Sequence, residues 1–168
     1  MKKETKALAL AAMLAAAELV LLLLASVVPT GRLALTAIAG TINIVTLLEC
    51  GKRYTLLVYI AVSVLSAILL PLKLLAVLYI AFFGYYPLVK SLLERLGKLR
   101  LEWLLKVLIL LFALTITVLL YRYGFAGGIT LFDNALWLVY AGSIVVFIIY
   151  DLALTRLVEY YLNRKNKQ

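Results

Sequence analysis

The chain has no histidine, one cysteine (Cys50), three prolines, and eight acidic residues against seventeen basic ones. The missing histidine removes the commonest general base and the commonest metal ligand. A single cysteine excludes an intrachain disulfide and any multi-cysteine metal centre. There is no Walker loop, no G-x-S-x-G elbow and no set of paired metal ligands. Ser63 and Ser66 lie in apolar sequence with no base near them. Catalysis would have to rest on Glu18, Asp151 or a tyrosine acting almost alone, so the sequence predicts a non-enzyme with no cofactor and no metal. No internal repeat or low-complexity tract occurs, which argues against an inverted-repeat transporter.

What the chain has in abundance is hydrocarbon. Of its 168 residues, 66% are hydrophobic, whereas a soluble domain runs near half. A protein this small has too little interior to hide that much apolar surface. The bilayer must therefore be the solvent for most side chains. The net charge of +9 would suggest nucleic acid in a soluble protein. Here the basic residues fall between apolar runs, so they report topology and contact with anionic lipid, and no nucleic-acid partner is expected. The opening Met1-Lys2-Lys3 mimics the start of a signal peptide. The apolar run that follows, 7–28, is too long for a signal core and reads as a retained span.

A spanning helix needs about 20 mostly apolar residues. Six stretches qualify: 7–28, 33–48, 54–70, 74–89, 103–121 and 135–157. They are punctuated by Pro29-Thr30-Gly31-Arg32, by Glu49-Cys50-Gly51-Lys52-Arg53, by Pro71, and by charged or glycine-rich connectors. The expected fold is an all-α bundle of six transmembrane helices, with the whole chain, 1–168, forming one integral membrane domain. The second and third spans are short, which suggests little tilt or shielding by neighbours.

Lysine and arginine give the orientation. With the N-terminus inside, the inner segments hold Lys2, Lys3, Lys6, Lys52, Arg53, Lys90, Arg95, Lys98, Arg100, Lys106, Arg156, Arg164, Lys165 and Lys167. The outer side keeps only Arg32, Lys73 and Arg122. That 14-to-3 division places both termini in the cytoplasm. The location it implies is a plasma membrane, crossed many times, of bacterial type. The connector 91–103 alternates apolar and charged residues and reads as an amphipathic turn on the inner face or as a plain solvated link. The connector 123–134 is glycine-rich and aromatic, so it is either a lid or a flexible link on the bundle rim.

Polar groups inside the spans need partners, because a charge at mid-membrane costs about 3 kcal/mol or more. Glu18 lies ~16 Å into the first span, near the midplane. Ala7, Ala11, Ala15 and Glu18 form one helical stripe of small residues, which lets another helix approach closely. Glu18 therefore faces protein, as a substrate or coupling-proton site or as a protonated carboxyl bonded to a neighbour. Asn43, at mid-depth in the second span with Ala39, Gly40 and Thr46 on its face, is the natural partner. Nearer the inner side, Glu49, Lys90 and Asp151 should lie at similar depth as an ionic cluster, structural or gating. In the outer half, Arg32, Thr36, Tyr79, Arg122, Asp133, Asn134, Trp137 and Tyr140 supply the aromatic walls and polar hooks that a small-ligand pocket needs. Trp137 and Tyr121 also suit an interfacial aromatic belt, and Arg32 could reach headgroups instead.

The run Lys6-Ala-Leu-Ala-Leu-Ala-Ala-Met-Leu-Ala-Ala-Ala17 resembles the first helix of the substrate-binding S components of energy-coupling factor transporters. Those are small six-helix membrane proteins whose first helix carries an Ala-x-x-x-Ala pattern. Ala7, Ala11 and Ala15 match it, and Ala12 with Ala16 forms a second register. The resemblance implies docking of that stripe on a transmembrane coupling subunit that works with two ATPases. It also implies a small-molecule ligand, a vitamin or its precursor, bound in the outer half. The chain's lack of a nucleotide motif suits a subunit that borrows ATP hydrolysis. The other reading the sequence allows is a standalone structural or partner-binding membrane protein without a ligand, even an artificial bundle.

Overall fold

The described parts of the six apolar stretches are mainly helical in a computed structural model, which describes residues 2–94, 99–120 and 136–165. The first three spans are α1 (Lys2–Val27), α2 (Arg32–Glu49) and α3 (Lys52–Leu69). The fourth is broken into α4 (Lys73–Leu78), a π-helical turn (Tyr79–Phe83) and α5 (Tyr86–Leu93). Two long helices follow, α6 (Leu99–Leu120) and α7 (Leu136–Lys165). No strand occurs among the described residues. Six helical segments are long and apolar enough to cross a membrane, with the broken fourth counted as one. Helix ends run beyond the apolar windows: α1 takes in Lys2 to Lys6, α6 starts at Leu99, and α7 continues to Lys165. A helix need not stop where its apolar run stops, since its backbone bonds are internal. The ends of α5 and α6 therefore absorb most of the 91–103 connector. Residues 95–98 and 121–135, the latter including the whole 123–134 connector, lie outside the described residues.

The connectors are set by glycine, proline and two cations. Gly31 and Gly51 have φ of 78° and 86°, a left-handed backbone region that disfavours residues with a Cβ. Leu70 is extended ahead of Pro71, as steric conflict with the proline ring requires. Arg32 donates from Nε to the Val28 carbonyl at 3.2 Å. Lys73 donates from Nζ to the carbonyls of Ala67 and Ile68 at 2.8 and 3.2 Å. Each cation thus caps the C-terminal end of the preceding helix, where orphan carbonyls and the helix dipole both favour positive charge.

The distribution of side chains suits a protein solvated by hydrocarbon. Met13, Ile68 and Phe112 are each more than 60% exposed. Glu18, Thr36, Asn43, Thr46, Thr55 and Ser66 are buried. Water would reverse that arrangement, whereas lipid favours apolar faces outward and polar groups against protein. The described residues form two compact units, 1–127 and 128–168. In the first, α1 packs on α2 and α3, and the fourth span packs on α2 and α6. In the second, Phe147, Tyr150, Asp151 and Leu154 make a buried stripe on α7.

The alanine stripe of α1 has contacts inside the chain. Ala11 is buried, and Cys50 donates from Sγ to the Ala7 carbonyl at 3.4 Å. Ala11 thus packs inside the chain on the same face as Glu18, Leu22 and Ala25, with Ala7 and Ala15 half-buried beside it. The reason lies in the stripe itself, because small residues leading to a buried carboxyl are what α2 needs for close approach. The register left exposed on α1 is Ala12 and Ala16.

Candidate functional site

The break in the fourth span begins with Pro87. Proline has no N–H, so the carbonyl four residues upstream, Phe83, loses its helical partner. The turn before it widens: the Gly84 N–H donates to the Tyr79 carbonyl at 2.8 Å, a π-type bond. The Leu88 N–H goes to the Tyr85 carbonyl at 3.0 Å rather than to Gly84. The neighbouring helices take up the carbonyls that this rearrangement releases. Tyr59 on α3 donates its hydroxyl to the Ile80 carbonyl at 2.9 Å. Asn43 on α2 donates from Nδ2 to the Gly84 carbonyl at 3.1 Å. The Phe83 carbonyl rests directly on Gly40, where a Cβ would lie 2.6 Å from it.

Asn43 ties that break to α1. The same Nδ2 donates to Glu18 Oε1 at 2.7 Å and to the Tyr79 hydroxyl oxygen at 3.1 Å. The Tyr79 hydroxyl also interacts with the Glu18 carboxyl. Glu18, Asn43 and Tyr79 are all fully buried. Glu18 Oε2 and Asn43 Oδ1 are buried without a hydrogen-bond partner. Aromatic packing closes the cluster on one side, with Tyr59 lying 6.4 Å from the Tyr79 ring and 6.2 Å from the Tyr85 ring. Gly84 fits between these rings, and a Cβ there would meet Tyr59 at 2.7 Å and Tyr79 at 2.9 Å. One carboxyl, one carboxamide, one phenol and one backbone carbonyl released from helical bonding thus converge in the protein interior. Such a set can hold a hydrogen-bonding solute or a cation.

The residues expected to line an outer pocket are distributed differently. Tyr79 belongs to the Glu18–Asn43 cluster. Arg32 caps α1, and the Thr36 hydroxyl donates to the Arg32 carbonyl of its own helix at 2.8 Å. Arg122, Asp133 and Asn134 lie outside the described residues, as does the Trp137 side chain. Tyr140 is half-buried on α7, in the second unit.

Of the expected inner ionic group, Glu49 is exposed, Lys90 is buried in the first unit, and Asp151 is buried in the second. Lys90 pairs with Glu94 at 2.8 Å, and Lys106 with Glu102 at 2.7 Å and Glu94 at 3.9 Å. Lys106 also lies 5.5 Å above the Trp103 ring. Glu94, Glu102 and Lys106 were not anticipated as a network, although Lys90/Glu94 and Glu102/Lys106 both have the i,i+4 spacing of helical ion pairs. Tyr59 and Gly84 were also missed, and nothing short of the π turn would reveal them.

A second feature is an apolar groove of about 350 Å³ between the fourth span and α6. Val77, Ile80, Ala81, Tyr85, Phe112, Ala113 and Ile116 line it. Its walls suit an acyl chain and lack the polar hooks that orient a metabolite.

Fold and site together define an all-helical protein, with six helices long and apolar enough to cross a membrane and a polar cluster where the fourth is broken. Among known proteins, no family model, no curated protein and no solved structure matches the chain.

Proposed function

We propose that the chain is a membrane-embedded binding subunit for uptake of a small molecule, a vitamin or its precursor. It would work like the S components of energy-coupling factor transporters and lie in a bacterial plasma membrane with both termini inside. The observation that carries this reading is the broken fourth span facing a buried carboxyl. Interrupted helices that present free carbonyls near the bilayer midplane are how transporters build polar sites in hydrocarbon. A purely structural bundle gains little from opening a helix opposite Glu18. The absence of a nucleotide motif supports a separate energising partner, a coupling subunit with two ATPases. The exposed Ala12–Ala16 register of α1 gives that partner a close-approach surface.

Two measurements test the proposal. Thermal unfolding in detergent across a panel of vitamins and metabolites should show one compound that raises the melting temperature, since a ligand of the native state stabilises by mass action. Affinity purification from the native membrane should bring down a coupling subunit and ATPases, and Ala12→Trp with Ala16→Trp should abolish that assembly. If no compound shifts the transition and no partner is recovered, the uptake reading fails. A standalone membrane protein is then the better account, and the purely apolar groove is the observation in its favour.

A further inference from the structure

The Glu18 cluster has more acceptors than donors. Five oxygens meet there: two from Glu18, and one each from Asn43, Tyr79 and the Gly84 carbonyl. The hydrogens available to them are the two on the Asn43 amide, the one on the Tyr79 hydroxyl and, when Glu18 is protonated, one on its carboxyl. The result is visible in the structure, where a single amide nitrogen is shared among three oxygens and two buried oxygens have no partner. Leaving such groups unpaired in a low-dielectric interior costs about 1–3 kcal/mol each. Glu18 forms no ion pair among the described residues. Whenever Glu18 ionises at this depth, its carboxylate calls for a positive counterpart.

We propose that Glu18, Asn43, Tyr79 and the Gly84 carbonyl form a binding site for a small monovalent cation of the sodium class. The Asn43 nitrogen already stands where oxygens converge, at 2.7–3.1 Å from three of them. A half-turn of the carboxamide turns Oδ1 instead of the nitrogen toward these oxygens, and a cation seated between them completes an all-oxygen set of the kind hard cations take. One monovalent ion neutralises one carboxylate, whereas a divalent ion would leave net positive charge in hydrocarbon. No cluster of three or more Asp, Glu, Cys or His side chains exists among the described residues to hold a transition metal. Close packing of Gly40 on Phe83 and of Gly84 on Tyr59 favours a small ion. The inference deepens the uptake reading, because it names an occupant of the same site and rests on that site being functional.

The test uses the purified full chain in detergent, with NaCl, LiCl, KCl and choline chloride compared at equal ionic strength. Sodium should raise the melting temperature saturably by several degrees over choline. Glu18→Gln should erase that shift, and Tyr79→Phe, which keeps the packing, should move its midpoint to higher sodium. Equal melting in sodium and choline would overturn the proposal. So would a sodium shift that survives in Glu18→Gln, or a transition that responds to pH alone, which would mark a protonated structural carboxyl. The metabolite panel, run in choline, keeps the two readings apart. A metabolite shift without a sodium shift rejects the ion and leaves the uptake reading intact. A sodium shift with no metabolite and no partner retains the ion and rejects uptake.

Discussion

At the scale of single residues, the polar interior depends on positions where one atom decides the outcome. Gly40 is one, because a methyl group there meets a backbone carbonyl, which cannot rotate away. Gly40→Ala should destabilise the protein by about 1–3 kcal/mol, as overpacking does, read as a lower melting temperature in detergent. Tyr59 is another. Tyr59→Phe strips the donor from the Ile80 carbonyl and should cost about 1–3 kcal/mol, whereas Tyr54→Phe, outside the cluster, should cost almost nothing. Cys50 gives a pH prediction. Burial pushes its thiol up, and the neighbouring Glu49 carboxylate pushes the same way. The thiolate is the reactive form, so maleimide labelling should be slow at neutral pH and should accelerate at higher pH than for an ordinary cysteine. Labelling as fast as a free thiol at pH 7 would contradict this. Glu18 and Asn43 were legible in the sequence because an uncompensated polar group in a span stands out. Tyr79 was legible only as an aromatic, since its role depends on which way the fourth span turns.

The elements show where sequence reading stops. Span number and position follow from hydrocarbon length, which is a one-dimensional property. The π turn is not, because its bonds form only when α2 and α3 supply Asn43, Tyr59 and the Gly40 gap. Pro87 marked an end but not a break. The alanine stripe of α1 was visible as a close-approach surface, yet its partner could have been another subunit or the chain itself. Ala11 is buried within the chain, while Ala7 and Ala15 are half-buried. Pro87→Ala supplies the missing N–H to the Phe83 carbonyl and lets a regular helix compete with the π turn. It should preserve or raise thermal stability while weakening any sodium response. A loss of fold would show that the proline is needed for packing alone. Lys90 was expected to meet Asp151, and a charge exchange between them tests that pairing. Its short pairing with Glu94 already supplies one partner that local helical spacing allows.

For the whole molecule, six helices are long and apolar enough to cross a membrane, and the lysine and arginine distribution predicts their orientation. Cys50 sits in the connector between α2 and α3, on the inner side if the positive-inside rule holds. An impermeant maleimide should therefore spare it on intact cells and reach it in inverted vesicles. Thr30→Cys in a Cys50→Ser background should behave oppositely. The central claim is that Glu18 lies in the membrane interior at a site that a cation can occupy. Dicyclohexylcarbodiimide tests it most directly, because this apolar reagent modifies protonated carboxyls within a bilayer. The modified protein would be mapped by peptide mass spectrometry after reaction in choline and in sodium. The account predicts an adduct on Glu18 in choline and protection by sodium. An unmodified Glu18, or the same labelling in both salts, would contradict it.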